Sequence, residues 1–336
     1  MSRTADEPVI VGEGDFRYEV ATDWPRLPEG WTFVESTSVA ADSQGLVYVF
    51  NRGEHPVMVL DREGQVVKSW GEGKFTRPHG ITIAPDDSIY CVDDQDHTVR
   101  KYSSGGELLF TVGTSGQGAD TGVVNRDYRT IKRVGPPFNQ PTNLAIAPGG
   151  ELFISDGYGN ARVHKFSPDG DLIMSWGEPG DGPGQFHLPH GIAIDSSGTV
   201  YVADRENNRV QRFNSDGEFI DQWSNLARPT QVCICPDETV FVSEVGFRVG
   251  MVPGTAPPGP DATGGRISLF DANGELLCRW GGGQQPTDPG DFVAPHDVCV
   301  DPQGAVYVAE VSWSAAGKHG LVPPDFQSLQ KFVRVS

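Results

Sequence analysis

Three histidines occupy one frame in this chain: Pro78-His79-Gly80-Ile81, Pro189-His190-Gly191-Ile192 and Pro295-His296-Asp297-Val298. A neutral imidazole is a common ligand for a divalent metal. Recurrence in one frame means that a repeated unit carries the ring at one fixed point. Equivalent points in a closed ring of units converge on its axis. Three imidazoles meeting there, with a fourth position left to water or a substrate oxygen, make the usual open catalytic zinc site. A lone channel histidine more often bonds water or backbone; three in alternate copies favour a divalent metal, zinc above others, held by His79, His190 and His296.

Other residues near these frames add to that chemistry. At the ends of six strand-like runs stand Asn51, Asp93, Asp156, Asp204, Glu244 and Glu310, expected to cap the turn that follows. The next residue is Arg52 in one copy and Arg205 in another. Two guanidinium groups beside a metal channel can clamp a carboxylate bidentately. Tyr158 follows Asp156-Gly157, and a phenol among cations ionises more readily, which suits a general base. The residue after the frame histidine reads Gly80, Gly191 and Asp297, and Asn143 and Gln231 where no histidine stands. Asp297 is the one carboxylate of that set, and with the backbone carbonyls of Val39 and Ile81 it can hold a hard cation such as Ca²⁺.

The elements that must position these groups are legible as repeats. Segments beginning at Val39, Ile81, Leu144, Ile192, Val232 and Val298 each show a short apolar alternation, a polar turn and a second alternation, as in "ITIAPDDSIYCVD" and "IAIDSSGTVYVAD". These read as pairs of antiparallel strands. Most copies continue into two more strands, as in "RVHKFSPDGDLIMSWG", and Trp70, Trp176, Trp223 and Trp280 close the fourth strand, where they are expected to pack between neighbouring sheets. The fold expected is all-β, a six-bladed β-propeller over residues 16–336 after an N-terminal extension, 1–15. The last copy ends at "LQKFVRV", so "FRYEV" (Phe16 to Val20) is expected to supply its fourth strand and close the ring. The histidines then fall in blades 2, 4 and 6, with Thr37, Thr142 and Thr230 at the same point of blades 1, 3 and 5. Three insertions, Gly116 to Gln140, Arg248 to Gly264 and Ser314 to Asp325, all lie on the face where the frames open, so the site is expected there.

Bulk properties bound the function. The 336 residues carry 42 glycines and 26 prolines, spread evenly, as many short strands and tight turns require. A net charge of −19 speaks against nucleic acid and against an anionic membrane surface. No apolar run approaches the ~20 residues that span a bilayer, and Met1 to Pro8 has no secretory h-region. Five cysteines, including Cys233-x-Cys235, lie in strand-like runs and read as buried reduced thiols. The chain is expected to be cytoplasmic. His55, His97, His164, His187 and His319 stand outside the frame; four are expected at the surface, and His319, in the last insertion, near the mouth of the site without being a ligand.

The repeats resemble NHL repeats. More narrowly, from about Trp31 to Val335, the chain resembles the catalytic cores of the peptidyl-α-hydroxyglycine α-amidating lyases, most closely at "SDGYGN", "ADRENNR" and the three "PH" frames taken together. That resemblance implies zinc on His79, His190 and His296, Tyr158 as the catalytic base with Arg52 as its essential neighbour, and Arg205 on the substrate's hydroxyl or carboxylate. It implies a structural calcium on Asp297 and the carbonyls of Val39 and Ile81. The family cleaves the C–N bond of an α-hydroxyglycine to glyoxylate and an amide. Two departures bear on the substrate. Ala294 stands where the family usually has methionine, which implies a wider pocket; Gly159 stands where it has a cysteine, so the neighbouring disulfide is missing. With no secretory signal and no copper monooxygenase domain in the chain, the expectation is a carbinolamide-type C–N lyase acting on a small, carboxylate-bearing metabolite. A metal-dependent hydratase, dehydratase or hydrolase on the same site is the alternative, and a non-catalytic NHL binding module the third reading.

Overall fold

Alternation along a strand sends successive side chains to opposite faces. In Val47–Asn51, Val47 and Val49 pack toward blade 6, and Tyr48 and Phe50 toward blade 2. Both sets are apolar because both faces of the blade are covered. The computed structural model, which describes residues 7–247, 263–283 and 285–335, consists of six antiparallel sheets ranged as the blades of a propeller. Six apolar clusters each join two successive blades, so the core is a ring of inter-blade layers. The second strand is buried along its whole length in every blade. The fourth-strand tryptophans fill the outer part of these layers. Trp70 lies 4.8 Å from Tyr102, Trp176 5.7 Å from Phe213, Trp223 5.3 Å from Phe270 and Trp280 5.5 Å from Phe332, each pairing one blade with the next.

Blade 6 joins the two ends of the chain. Its strands Pro295–Val300, Val306–Glu310 and Leu329–Arg334 are continued by Phe16–Val20, with Tyr18 opposite Arg334 and Val20 opposite Phe332. Ile10–Glu13, which the sequence places in an extension before the propeller, pairs with Phe16–Val20 as a fifth strand. Four residues of weak alternation gave no signal for it.

Most of the insertion Arg248 to Gly264 lies outside the described residues. The other two insertions carry short helical turns, Tyr128–Thr130 and Ser312–Ala315 followed by Gly317–His319. Among the described residues no helix is long and apolar enough to cross a membrane. All five cysteines are free.

Candidate metal centre

Each frame histidine enters the first strand of its blade and is buried, as are the threonines at the same point of the other blades. The two residue types interlock. Nδ1 of His79 lies 2.6 Å from the Thr142 carbonyl, that of His190 2.8 Å from the Thr230 carbonyl, and that of His296 2.6 Å from the Thr37 carbonyl. A carbonyl only accepts, so Nδ1 carries the proton in all three rings. Thr142 and Thr230 in turn donate their hydroxyls to the carbonyls of Pro189 and Pro295, the prolines of the next histidine frames, at 3.1 and 3.0 Å. In blade 1 the corresponding bond, to the Pro78 carbonyl, comes from Arg52 Nε at 3.2 Å.

The glycine after the histidine permits this approach. A Cβ on Gly80 would stand 2.7 Å from the Thr142 carbonyl oxygen, and one on Gly191 2.5 Å from that of Thr230. These are the oxygens that accept from His79 and His190. We therefore expect Gly191→Ala to destabilise the protein by about 1–3 kcal/mol and to weaken metal affinity about 10–100-fold by turning the His190 ring. A denaturation curve and a competition titration against a chelator measure the two effects.

With Nδ1 protonated, the three neutral rings present bare Nε2 lone pairs to one another. One ligand atom from each ring lies within 4.8 Å of those of the other two, the one such cluster among the described residues. Burial, then the neighbouring imidazoles and arginines, push the pKa of His79 well below the ordinary histidine value; burial leads at His190 and His296 as well. The Tyr158 hydroxyl lies 3.1 Å from Nε2 of His79 and 3.2 Å from Nε2 of His190. One phenol proton cannot serve two acceptors at once. A buried set of three unprotonated nitrogens, over-supplied with lone pairs, fits a divalent cation, and the cluster can hold one.

The acids at the ends of the second strands hold these frames rather than only the turns after them. Asn51 does cap its turn, donating to the His55 carbonyl at 2.8 Å. The others reach the segment that leads into the first strand. Asp93 accepts from the Arg77 N–H at 2.9 Å, Asp204 from His187 at 2.8 Å and Glu310 from Val293 at 2.7 Å. Asp156 accepts from Asn139 at 2.9 Å and Glu244 from Ala227. Each carboxylate thus fixes the approach to a frame position.

Around Tyr158 the structure gathers more charge than the sequence patterns indicate. Arg52 meets Glu35 at 2.5 Å, and Glu35 also accepts from the Ser314 N–H at 2.7 Å. Burial pushes the Glu35 carboxyl up, but Arg52 and Ser314 outweigh it and hold it below the usual range. Arg205 bonds Glu206 at 2.9 Å, and Arg228 bonds the same oxygen at 2.6 Å. Arg77 and Arg126 both pair with Asp94. The guanidinium carbons of Arg126, Arg205 and Arg77 lie 4.5, 5.6 and 6.0 Å from the centre of the Tyr158 ring. A cavity of about 130 Å³ opens between Arg52, Arg77, Tyr158, Arg205, Arg228 and His296. Glu35, Arg77 and Arg228 occupy the position before the frame, and Asp94 the position of Arg52 and Arg205. The repeat alignment could have found these four. Arg126 sits in an insertion, and no pattern in the sequence marks it.

Glu206 ties acid stability to this cluster. Burial pushes its carboxyl up, yet Arg205 and Arg228 bring it down to about 2. A depressed carboxylate contributes stability above its unfolded pKa, and that contribution is lost as pH falls through the folded value. The window therefore runs from about 4.5 down to 2. We expect the wild type to lose about 2 kcal/mol more than Glu206→Gln between pH 7 and pH 3, measured by urea unfolding at both pH values.

Two sequence expectations are corrected. His164 is buried, 2.7 Å from Ser175 Oγ and 3.3 Å from Asp156 Oδ2, and His55, His97 and His187 are half-buried; His319 alone of the five is exposed and stands apart from the triad. Ala294 does not widen the pocket. It is fully buried against Val245, Ala315, Ala316 and Val322, so its small side chain makes room for the blade 6 insertion. Asp297 Oδ2 accepts from the Ser38 hydroxyl and, at 3.3 Å, from the N–H of Val39, while Ser38 Oγ accepts from the N–H of Ile81 at 2.9 Å. Burial raises the Asp297 carboxyl to about 7.

The family model described as the NHL repeat matches residues 138–166 and 186–213. NHL repeat-containing protein 3 from Homo sapiens is 32% identical over 321 residues, covering 90% of this chain and 84% of its own length. The chain belongs to the NHL-repeat family. Another relative of this NHL-repeat protein is peptidyl-alpha-hydroxyglycine alpha-amidating lyase 1 from Drosophila melanogaster, 29% identical over 280 residues, covering 77% of this chain and 47% of the relative. Among solved structures, virginiamycin B lyase from Staphylococcus aureus superposes with a TM-score of 0.58 over 90% of this chain and 96% of its own, at 12% identity, and shares the propeller fold.

Proposed function

We propose that this protein is a metal-dependent lyase that cleaves the C–N bond of a carbinolamide, an α-hydroxyglycine-like compound, on a small carboxylate-bearing metabolite. The observation that carries this is the Tyr158 hydroxyl held 3.1 and 3.2 Å from two of three convergent imidazole nitrogens, inside a wall of arginines. The similarity to a protein named as an α-hydroxyglycine amidating lyase adds support.

His79, His190 and His296 would hold the metal, zinc in this reading, through Nε2. When bound, zinc would lower the pKa of an oxygen ligand. Tyr158 takes the proton of the substrate hydroxyl as the C–O bond becomes a carbonyl. The C–N bond breaks, its electron pair stays on nitrogen, and the nitrogen takes up a proton. An acylated α-hydroxyglycine thus yields an amide and glyoxylate with no net oxidation. Arg205 orients the carboxylate, and Arg52, on the same cavity, offsets negative charge as it develops. Calcium on Asp297 and the carbonyls of Val39 and Ile81 would be a second, structural metal; Asp297 has no cationic partner among the described residues, and elemental analysis would return calcium beside zinc. A net charge of −19 supports a small-molecule partner over nucleic acid, and five free thiols support a cytoplasmic place.

The test is release of glyoxylate from N-acetyl-α-hydroxyglycine. Catalysed release that chelation stops is the expected result. Bound zinc with no glyoxylate would instead favour hydratase or hydrolase chemistry, and no metal at all a binding module.

A further inference from the structure

The charges at the mouth do not balance. Among the described residues the wall around Tyr158 has five guanidinium groups, Arg52, Arg77, Arg126, Arg205 and Arg228, against three carboxylates, Glu35, Asp94 and Glu206. This excess of two positive charges sits in a protein whose net charge is −19. It has a definite layout. Arg52 and Glu35 pair one to one. Arg77 and Arg126 share one oxygen of Asp94, on the blade 2 side of Tyr158, and Arg205 and Arg228 share Glu206, on the blade 4 side. Each shared carboxylate leaves about one positive charge over. Arg228 is buried and Arg205 is 15% exposed, so solvent screens their surplus less than that of Arg77 and Arg126, which are 23% and 29% exposed. Arg52 Nη2 is also buried with no hydrogen-bond partner and borders the same cavity. A single carboxylate on the ligand would neutralise one side and leave the other.

We infer that the substrate is a dianion, with one carboxylate between Arg205 and Arg228 and a second between Arg77 and Arg126. Resting on the lyase reading above, the first is the α-carboxylate next to the reacting carbon. The second terminates the acyl group, so the substrate is an N-(carboxyacyl)-α-hydroxyglycine. Arg77 and Arg126 then determine specificity, Arg126 being delivered by the Gly116 to Gln140 insertion.

Binding tests this apart from turnover. Calorimetry on the purified protein compares each straight-chain diacid from malonate to adipate with its own monoamide, which has the same length and one charge fewer. At least one diacid is expected to bind about 10-fold tighter than its monoamide. That preference should fall below about 3-fold in Arg126→Gln and recover in part in Arg126→Lys; a thermal melt confirms that both variants fold. No diacid preferred by the wild type, or a preference that survives Arg126→Gln, overturns the inference. A protein that prefers diacids but releases no glyoxylate would sink the lyase reading and leave this one standing. Cleavage of N-acetyl-α-hydroxyglycine without diacid preference would do the reverse.

Discussion

Tyr158→Phe is expected to lower kcat by about 10²–10⁴-fold, the usual worth of a positioned acid or base, while leaving the metal content unchanged. The change removes one oxygen. The ring keeps its place, since the guanidinium groups of Arg126 and Arg205 lie against it rather than against the hydroxyl alone. The triad keeps its shape, since each Nδ1 is fixed by a threonine carbonyl on the next blade and not by Tyr158. What is lost is the group poised 3.1–3.2 Å from Nε2 of His79 and His190 to receive a proton. Metal analysis and steady-state rates on the same preparation separate the outcomes. A variant that loses metal would make Tyr158 a ligand instead of a base. One that keeps full activity would remove it from the chemistry.

His190→Ala has the other large effect. It removes one nitrogen of three and leaves the Thr230 carbonyl without its Nδ1–H partner, buried. Two imidazoles cannot hold a divalent ion as three do, and bound metal should fall from about one equivalent to under a tenth. With it should go the stabilisation that the metal lends the folded state, about 4 kcal/mol for an ion at a thousand times its Kd. Melting temperature with and without added zinc reads this directly: the wild type should shift upward on zinc addition and the variant should not. His319→Ala, on an exposed turn away from the triad, should retain metal and the shift.

The fold was largely legible because both faces of the second strand are buried in every blade. That forces apolar residues at alternate positions on both sides, as in Val47 to Phe50, and six copies make the pattern hard to miss. The triad was legible for the same reason: one frame repeated three times needs no knowledge of the tertiary contacts. What alternation cannot show is where a long side chain goes. Asp93, Asp204 and Glu310 sit at strand ends, which suggests a turn cap, yet each reaches across to the segment before a frame position. His164 looks like a surface residue on a third strand, but Asp156 and Ser175 give it partners inside. Ala294 reads as space in the pocket, and the blade 6 insertion fills that space. Arg126 comes from a loop with no repeat counterpart, and only the folded chain brings it within 4.5 Å of Tyr158.

Elemental analysis of the purified protein bears most directly on the metal centre. About one zinc per chain, or one equivalent of another divalent transition metal, removable by chelation and absent from His190→Ala, is the expected result. A protein that contains none and takes up none from solution, while folded, would contradict the assignment of His79, His190 and His296 as a metal site and with it the lyase chemistry built on them.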